Sequence, residues 1–336
     1  MAEAPSQPAD AAGTSPPEVA QPPPLPASPY KGLTPYGDQD ADFFFGRERE
    51  SQVIVANLLA SRLTLLYGQS GVGKTSVLRA GVVHDLRREA LQALTEGDAP
   101  EHVVVEFATW RDDPLAGLAG AIETSVRLVF GDRTPAAPAS TSDLSELIRH
   151  WTDRLDAGLL IILDQFEEYL LYHGDEDGAG TFAVEFPKAL ADKSLRANFL
   201  VAIREDAIAR LDAFKSRIPN LFGNYLRLEH LDRESARAAV LGPVEEYNRR
   251  SGTAAMLIEP ALVDRVLHDV ARGQVVVGQT GQGTLETTST ADARIETPYL
   301  QLVMSRLWTE ESAAGDRKST RLNSSHLTQS RMPSSA

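Results

Sequence analysis

The chain has 336 residues, of which 42% are hydrophobic, enough for one large domain or two modest domains with a proper core. Its formal net charge of −14 argues against a general binder of nucleic acid or anionic membranes, and the absence of cysteine excludes disulfides and thiolate metal sites. The first residues lack the cationic and apolar regions of a signal peptide, and no apolar run has the length of a membrane span. We therefore expect a cytoplasmic protein without membrane partners.

Residues 1–28 are dominated by proline, alanine, serine and glutamine. Such a segment cannot bury enough surface to offset the entropy lost on ordering, so we predict a disordered Pro/Ala-rich extension. Ordered structure is expected from about Tyr30. An aromatic run at 43–45 then precedes Gly46, and helical spacing follows over 51–60.

Apolar and amphipathic segments alternate over the next part of the chain. Short apolar runs predict strands at 63–67, 102–107, 158–163, 198–203 and 225–228. Helical spacing predicts helices at 74–91, 114–130, 143–157, 181–193 and 206–216, with Ser142 as the N-cap of the third. Alternation at these lengths indicates βαβ units and a mostly parallel sheet, which is an α/β fold.

After Asp232 the pattern becomes entirely helical, with helices predicted at 233–247, 259–271 and 298–311. A Gly/Thr-rich stretch at 273–293 separates the last two and is predicted to be a loop. These patterns divide the chain into an α/β domain at 29–230 and a small helical domain at 231–315.

The sequence GQSGVGKT at 68–75 fits the phosphate-loop pattern G-x-x-x-x-G-K-S/T and lies between a predicted strand and a predicted helix. Glycines let such a loop curl so that its N–H groups surround a phosphate. Lys74 is placed for the β- and γ-phosphates and the Thr75 hydroxyl for Mg²⁺. We therefore predict that the chain binds a nucleoside triphosphate. The predicted cradle comprises Gly68, Gln69, Ser70, Gly71, Val72, Gly73, Lys74, Thr75 and Ser76.

A carboxylate at the end of a neighbouring strand is the second requirement of such a site. Asp164 ends the apolar run LLIIL and is the predicted metal partner, while Glu167 or Glu168 is placed to act as general base. The competing interpretation is a solvated acidic helix start, where Asp and Glu favour the helix dipole.

Arg204 follows the next predicted strand, in FLVAIRED. Ligands of open α/β sheets bind beyond the carboxyl ends of the strands, so this cation is predicted to contact the γ-phosphate. The alternative is a salt bridge with Glu205, Asp206 or Asp164.

Five segments in this order resemble the STAND class of signal-transduction P-loop ATPases, near the AAA+ and NACHT groups and closest to the novel STAND branch. They are YKGLTPYGDQDADFFFGRERE, GQSGVGKTSVLRAGVV, IILDQFEEYL, FLVAIREDAIARLD and IETPYLQLVMSRLW. The resemblance covers about residues 29–312. It implies a P-loop NTPase domain built as a three-layer αβα sandwich, followed by a small α-helical lid domain.

The resemblance also implies roles for particular residues. Gly46 and Arg47, with Glu48, are similar to the segment that borders the adenine pocket in relatives. Pro298 resembles a lid proline that contacts nucleotide, although Glu296 occupies a position where relatives often have glycine. For the phosphate loop, Asp164 and Arg204, the resemblance implies the same roles that were assigned above. Glu167 and Glu168 are the acidic pair behind Asp164.

In proteins of this class ADP keeps the chain closed, and exchange for ATP permits self-association through the nucleotide domains. The resemblance thus implies a switch with ATP/ADP and Mg²⁺ as cofactors and slow ATP hydrolysis. The absence of a guanine-reading N-K-x-D motif favours adenine.

The last segment, DRKSTRLNSSHLTQSRMPSSA at 316–336, is basic whereas the chain before it is acidic. It resembles a translated sequencing adapter, so we expect a non-native tail and a native chain that continues past about Gly315. The resemblance then implies that a winged helix and a region sensing an unknown ligand or protein are missing.

Two other functions stay open. One is an AAA+-like ATPase of the replication-initiator kind acting on DNA, although the acidic balance of the chain argues against a nucleic-acid partner. The other is a non-hydrolysing scaffold with ATP as a structural ligand.

Overall fold

The fold is described from a computed structural model, which covers residues 25–138, 142–252, 256–271, 294–314 and 321–322. The predicted loop at 273–293 lies outside the described residues, as do most of the extension at 1–28 and most of the tail at 316–336. Over the described ranges, no helix combines the length and apolar character needed to cross a membrane.

A sheet of five parallel strands forms the centre of the α/β part, in the order β2-β3-β4-β1-β5. Its inner strands are apolar and buried on both faces, as in other parallel sheets covered by helices. The predicted strand positions agree with the structure to within a residue. The strands are β1 (Leu63–Gly68), β2 (His102–Phe107), β3 (Gly158–Leu163), β4 (Ala197–Arg204) and β5 (Tyr225–Arg227).

The register of the sheet brings the carboxyl ends of three strands together. Gly68 at the end of β1 pairs with Arg204 at the end of β4, and Leu163 at the end of β3 pairs with Val201. The chain segments that leave β1, β3 and β4 therefore meet at one edge. This is the edge at which open α/β folds bind their ligands.

Helices cover both faces of the sheet. One face buries Ile122, Trp151 and Phe186, and the other buries Ile54 and Leu78. The α/β sandwich with a mostly parallel sheet is therefore confirmed. The helices are α1 (Glu48–Ala60), α2 (Lys74–Ser76), α3 (His84–Glu96), α4 (Pro114–Phe130), α5 (Leu144–Leu155), α6 (Phe166–Tyr172) and α7 (Phe182–Ala191).

Two helical predictions differ in detail. A π-helical segment, Val77–Val83, joins α2 to α3, where regular helix was predicted. Within it Gly81 packs so closely on α1 that a Cβ atom would clash with the hydroxyl of Ser51. The segment predicted as a helix at 206–216 is the 3-10 helix Glu205–Phe214.

The prediction that Ser142 caps α5 is wrong. The N-cap is Asp143, whose carboxylate accepts a hydrogen bond from the backbone N–H of Glu146 at 3.0 Å. Both side chains are good caps, and the carboxylate one residue later has the correct spacing to an N–H of the first turn.

Three helices form a second core beside the sheet: α8 (Arg233–Ser251), α9 (Pro260–Asp269) and α10 (Thr297–Ala314). Val240, Leu262, Met304 and Trp308 are buried in it. The predicted helical part is thus present. A two-residue parallel pairing joins β6 (Leu257–Ile258) to β7 (Arg321–Leu322), so the tail contributes to the structure at that point.

Residues 25–36, here called the N-terminal segment, pack against this helical core. The Tyr30 hydroxyl donates to the carbonyl of Val240 at 2.6 Å, and the Tyr30 ring meets Trp308 edge to face. The Trp308 indole donates to the carbonyl of Ala27 at 3.0 Å. The packed chain therefore begins before Tyr30, inside the extension predicted to be disordered, because these aromatic contacts hold it.

Candidate nucleotide-binding site

The phosphate loop connects β1 to α2 at the sheet edge described above. Gly71 and Gly73 have φ values of 76° and 98°, in the left-handed region that only glycine adopts without strain. Gly68 approaches the backbone so closely that a Cβ atom would lie 2.5 Å from the carbonyl oxygen of Leu228. Two of the three glycines in the motif are thus required by their backbone conformation, and the third by its close packing.

Lys74 folds back over its own loop. Its ammonium group donates to the carbonyls of Gly68 at 2.9 Å and Gln69 at 3.1 Å. Burial lowers the pKa of Lys74, while Glu167 and Asp164 oppose that shift. The loop therefore holds a partly desolvated cation above the cradle, which is the environment in which a phosphate binds most strongly.

The Thr75 hydroxyl donates to Oδ2 of Asp164 at 2.8 Å, which joins the phosphate loop to the end of β3. Asp164 is only 1% exposed, and burial raises the pKa of its carboxyl. Its Oδ1 accepts from the backbone N–H of Gln165 at 2.9 Å, and its carbonyl accepts from the Trp110 indole at 2.7 Å. The carboxylate is therefore fixed on both sides.

Hydroxyl and carboxylate oxygens are the ligands that Mg²⁺ prefers, and Mg²⁺ keeps several waters or phosphate oxygens as its other ligands. Thr75 and Asp164 offer such a pair of oxygens beside the cradle. Within the described ranges there is no cluster of three or more acidic or histidine side chains that would form an all-protein metal cage. The donors present fit Mg²⁺ bound together with a phosphate.

The two candidate bases are adjacent residues in the first turn of α6. Glu167 lines the cavity above the loop, and its Oε2 accepts from the backbone N–H of Arg204 at 3.1 Å. Burial raises the pKa of Glu167. Glu168 does not line this cavity. The geometry therefore favours Glu167 over Glu168 for contact with a bound ligand.

Arg204 also lines the cavity, but its guanidinium is engaged. It donates to the carboxylate of Asp206 at 3.0 and 2.6 Å, and the side chain is 44% exposed. Of the three salt-bridge partners considered from the sequence, the structure thus shows Asp206. The contact of Arg204 with a γ-phosphate stays a prediction.

Arg47 lines the cavity and also supports the phosphate loop. Arg47 is 5% exposed and donates to the carbonyls of Val72 at 3.1 Å and Glu229 at 2.7 Å. Gly46 does not line the cavity, and a Cβ atom there would clash with the carbonyl of Ser235 in α8. Arg47 thus braces the phosphate loop, whereas Gly46 allows α8 to approach.

Helix α10 closes the cavity from above. The cavity has a volume of about 290 Å³. Pro298 lies against the loop, since a Cβ atom on Gly71 would be 2.9 Å from its Cγ. Of the predicted cradle, Ser70 to Ser76 line the cavity, whereas Gly68 and Gln69 act through the carbonyls that hold Lys74.

One wall of the cavity was not predicted in any detail. It is formed largely by apolar side chains from the N-terminal segment and the aromatic run, together with one amide from α10. The signal in the sequence was the aromatic run at 43–45, interpreted only as an anchor. These residues are Leu33, Tyr36, Phe44, Phe45 and Gln301.

The chain matches the family model described as Novel STAND NTPase 1 over residues 29–329. It belongs to this family of STAND NTPases. The predicted resemblance is therefore confirmed, and it extends past Gly315 into the segment expected to be non-native, whose origin stays a prediction. No curated protein matches the chain significantly.

Solved structures with a similar fold include two proteins of Aeropyrum pernix. The Aeropyrum pernix ORC2 protein in its ADPNP–ADP complexes aligns with a TM-score of 0.52 at 16% identity, over 84% of this chain and 66% of that one. The Aeropyrum pernix ORC1 protein in complex with DNA gives 0.47 at 18%, over 86% and 65%. The STAND NTPase thus spans about two thirds of the length of these neighbours, and at such identity the likeness concerns the fold alone.

Proposed function

We propose that this STAND NTPase binds ATP with Mg²⁺, hydrolyses it slowly and uses the bound nucleotide to control self-association. The observation that supports this most directly is the 2.8 Å hydrogen bond between Thr75 and Asp164, beside Lys74 in one cavity. Two chain segments far apart in sequence thereby place a hydroxyl, a buried carboxylate and a cation in the lining of one cavity. This combination serves phosphoryl chemistry.

Thr75 and Asp164 would hold the Mg²⁺, which supplies positive charge that neutralises the β- and γ-phosphates. Lys74 would exchange its two loop carbonyls for phosphate oxygens, a stronger charge-assisted contact. Glu167 would accept a hydrogen bond from the attacking water and orient it.

Slow hydrolysis is consistent with the charges at this site. The carboxylate of Asp206 binds Arg204 and reduces the positive charge that this arginine can direct to the γ-phosphate. This pairing raises the barrier relative to a site with a free arginine.

The same arginine provides a physical basis for a switch. A ligand shifts a conformational equilibrium only through contacts that differ between the two states. ATP offers Arg204 a γ-phosphate in place of Asp206, whereas ADP does not. Pro298 lies on the phosphate loop, so a change there is transmitted directly to α10.

The first experiment measures ATP binding with Mg²⁺ by isothermal titration calorimetry. Lys74→Ala should weaken ATP binding by about 100-fold, because a buried charge-assisted contact worth about 2–3 kcal/mol is lost. Lys193→Ala, a change at an exposed lysine outside the cavity, is the matched control and should bind as the parent does. Unchanged ATP affinity in Lys74→Ala would refute the site.

The second experiment addresses the switch and the remaining alternatives. Sedimentation velocity should give a larger mass with the non-hydrolysable analogue ADPNP than with ADP. Equal masses would contradict nucleotide-controlled association. Absence of any turnover would favour the scaffold, and salt-dependent binding of duplex DNA would favour the replication-initiator function.

A further inference from the structure

A hydrogen bond between the N-terminal segment and α10 crosses the unpredicted wall of the cavity. The Tyr36 hydroxyl donates to Oε1 of Gln301 at 3.0 Å. Tyr36 is 5% exposed and Gln301 7% exposed, and both line the cavity. The contact joins residues that are 265 positions apart in the chain.

This bond determines which hydrogen-bonding groups of Gln301 remain available. A glutamine amide has one oxygen acceptor and two N–H donors, and the oxygen here already accepts from Tyr36. Among the described residues, no side chain or backbone carbonyl accepts a hydrogen bond from the amide nitrogen of Gln301. The wall therefore offers a donor to a ligand in the cavity.

Tyr36 itself is held in place from two sides. Its backbone N–H donates to the hydroxyl of Ser76 at 3.2 Å, directly after the phosphate loop. Its ring packs on Phe44, with ring centroids 5.5 Å apart. The hydroxyl that orients Gln301 thus belongs to a rigid part of the site.

The chemistry of the lining indicates what each part of it would contact. Lys74, Asp164 and Glu167 give the cavity a charged surface, whereas Leu33 and Phe45 give it an apolar one. A flat base fits an apolar surface that carries a few placed polar groups.

We infer that Gln301 selects the purine base by donating a hydrogen bond to N1 of adenine, and that Tyr36 is the positioning residue that sets its orientation. Adenine presents an unprotonated N1 on its Watson–Crick edge, whereas guanine presents N1–H there, between its O6 and its amino group. Guanine would therefore place its N1–H against the Gln301 donor, and sites of this kind reject the unmatched partner strongly. The inference rests on the proposed nucleotide function and names the base that this site selects.

The test compares ATP and GTP affinity by isothermal titration calorimetry in the full chain. Gln301→Glu replaces the donor by an acceptor and should lower the ratio of ATP to GTP affinity by at least about tenfold. Tyr36→Phe lets the amide turn and offer its oxygen to guanine. It should lower the ratio several-fold, chiefly through tighter GTP binding.

Tyr30→Phe is the matched control. Tyr30 is also a buried tyrosine of the N-terminal segment whose hydroxyl donates to a helix of the helical core, but it does not line the cavity. This variant should lose thermal stability and keep the parental ratio of ATP to GTP affinity.

The outcomes distinguish the proposed function from the inference about base selection. A parent chain that binds neither nucleotide would refute the proposed function and this inference with it. A parent that binds ATP, with the same ATP-to-GTP ratio in Gln301→Glu and Tyr36→Phe, would overturn the inference alone. If Gln301→Glu does not fold, the ratio measured for Tyr36→Phe decides.

Discussion

Replacing Glu167 by glutamine tests the chemistry of the site most directly. The amide keeps an oxygen that can accept from the backbone N–H of Arg204, now 3.1 Å from Oε2, so the free energy of unfolding should change by less than about 1 kcal/mol. The change removes the base itself. General base catalysis contributes about 10²- to 10⁴-fold, which is about 3–5 kcal/mol of activation free energy.

Single-turnover hydrolysis of radiolabelled ATP, with enzyme in excess, measures this step without product release. Glu167→Gln should reduce the rate by at least about 100-fold while ATP affinity stays within about threefold. The adjacent Glu168→Gln is the control, because Glu168 does not line the cavity, and its rate should stay within about threefold of the parent.

The pH dependence adds a second readout. Burial raises the pKa of Glu167, so the parental rate should rise with pH through that raised pKa as the base ionises, and the rise should be absent in Glu167→Gln. A larger loss of rate in Glu168→Gln than in Glu167→Gln would refute the assignment.

Three further changes test other contacts. Asp206→Asn weakens the pair that holds Arg204 and should increase the ratio of ATP to ADP affinity several-fold, whereas an unchanged ratio would contradict the switch. Arg62 donates to five backbone carbonyls, which the single ammonium group of a lysine cannot all reach, so Arg62→Lys should cost about 1–3 kcal/mol of unfolding free energy in urea titrations; no loss would refute that reasoning. Burial lowers the pKa of His173, but hydrogen bonds to Glu176 and a backbone carbonyl raise it overall. Its stabilisation is thus lost as pH rises, and His173→Gln should lower the melting temperature more at about pH 6 than at about pH 9, whereas equal shifts would argue against a charged ring.

The strands and the motif residues were predictable because their signals are local. An uninterrupted apolar run such as 158–163 can only be buried, and a glycine-rich turn before Lys74 has few other uses. The order of the strands was not predicted, because the sequence of one strand does not indicate which distant strand it pairs with. The pairing of Thr75 with Asp164 was predictable because phosphoryl transfer generally needs one metal ligand on the phosphate loop and another at the end of a neighbouring strand.

Contacts between chemically ordinary residues were missed. Tyr36 and Gln301 belong to no motif, and only the folded chain shows that they meet in the cavity wall. Arg204 illustrates the reverse case, since its position was predicted but the choice of Asp206 over the other two acids depends on local backbone geometry. The N-cap was misplaced by one residue because Ser142 and Asp143 have similar capping preference.

The strand order also constrains how the chain is assembled during synthesis. β1 emerges from the ribosome early, but both of its neighbours, β4 and β5, are translated last among the strands of the sheet. The phosphate loop cannot be held in its mature shape until residue 227 has left the exit tunnel, and Gln301 follows later still. In nascent chains that end before residue 227, the apolar strand β1 is unpaired and exposed on both edges. Chaperones bind chains in this form, and such chains aggregate most readily.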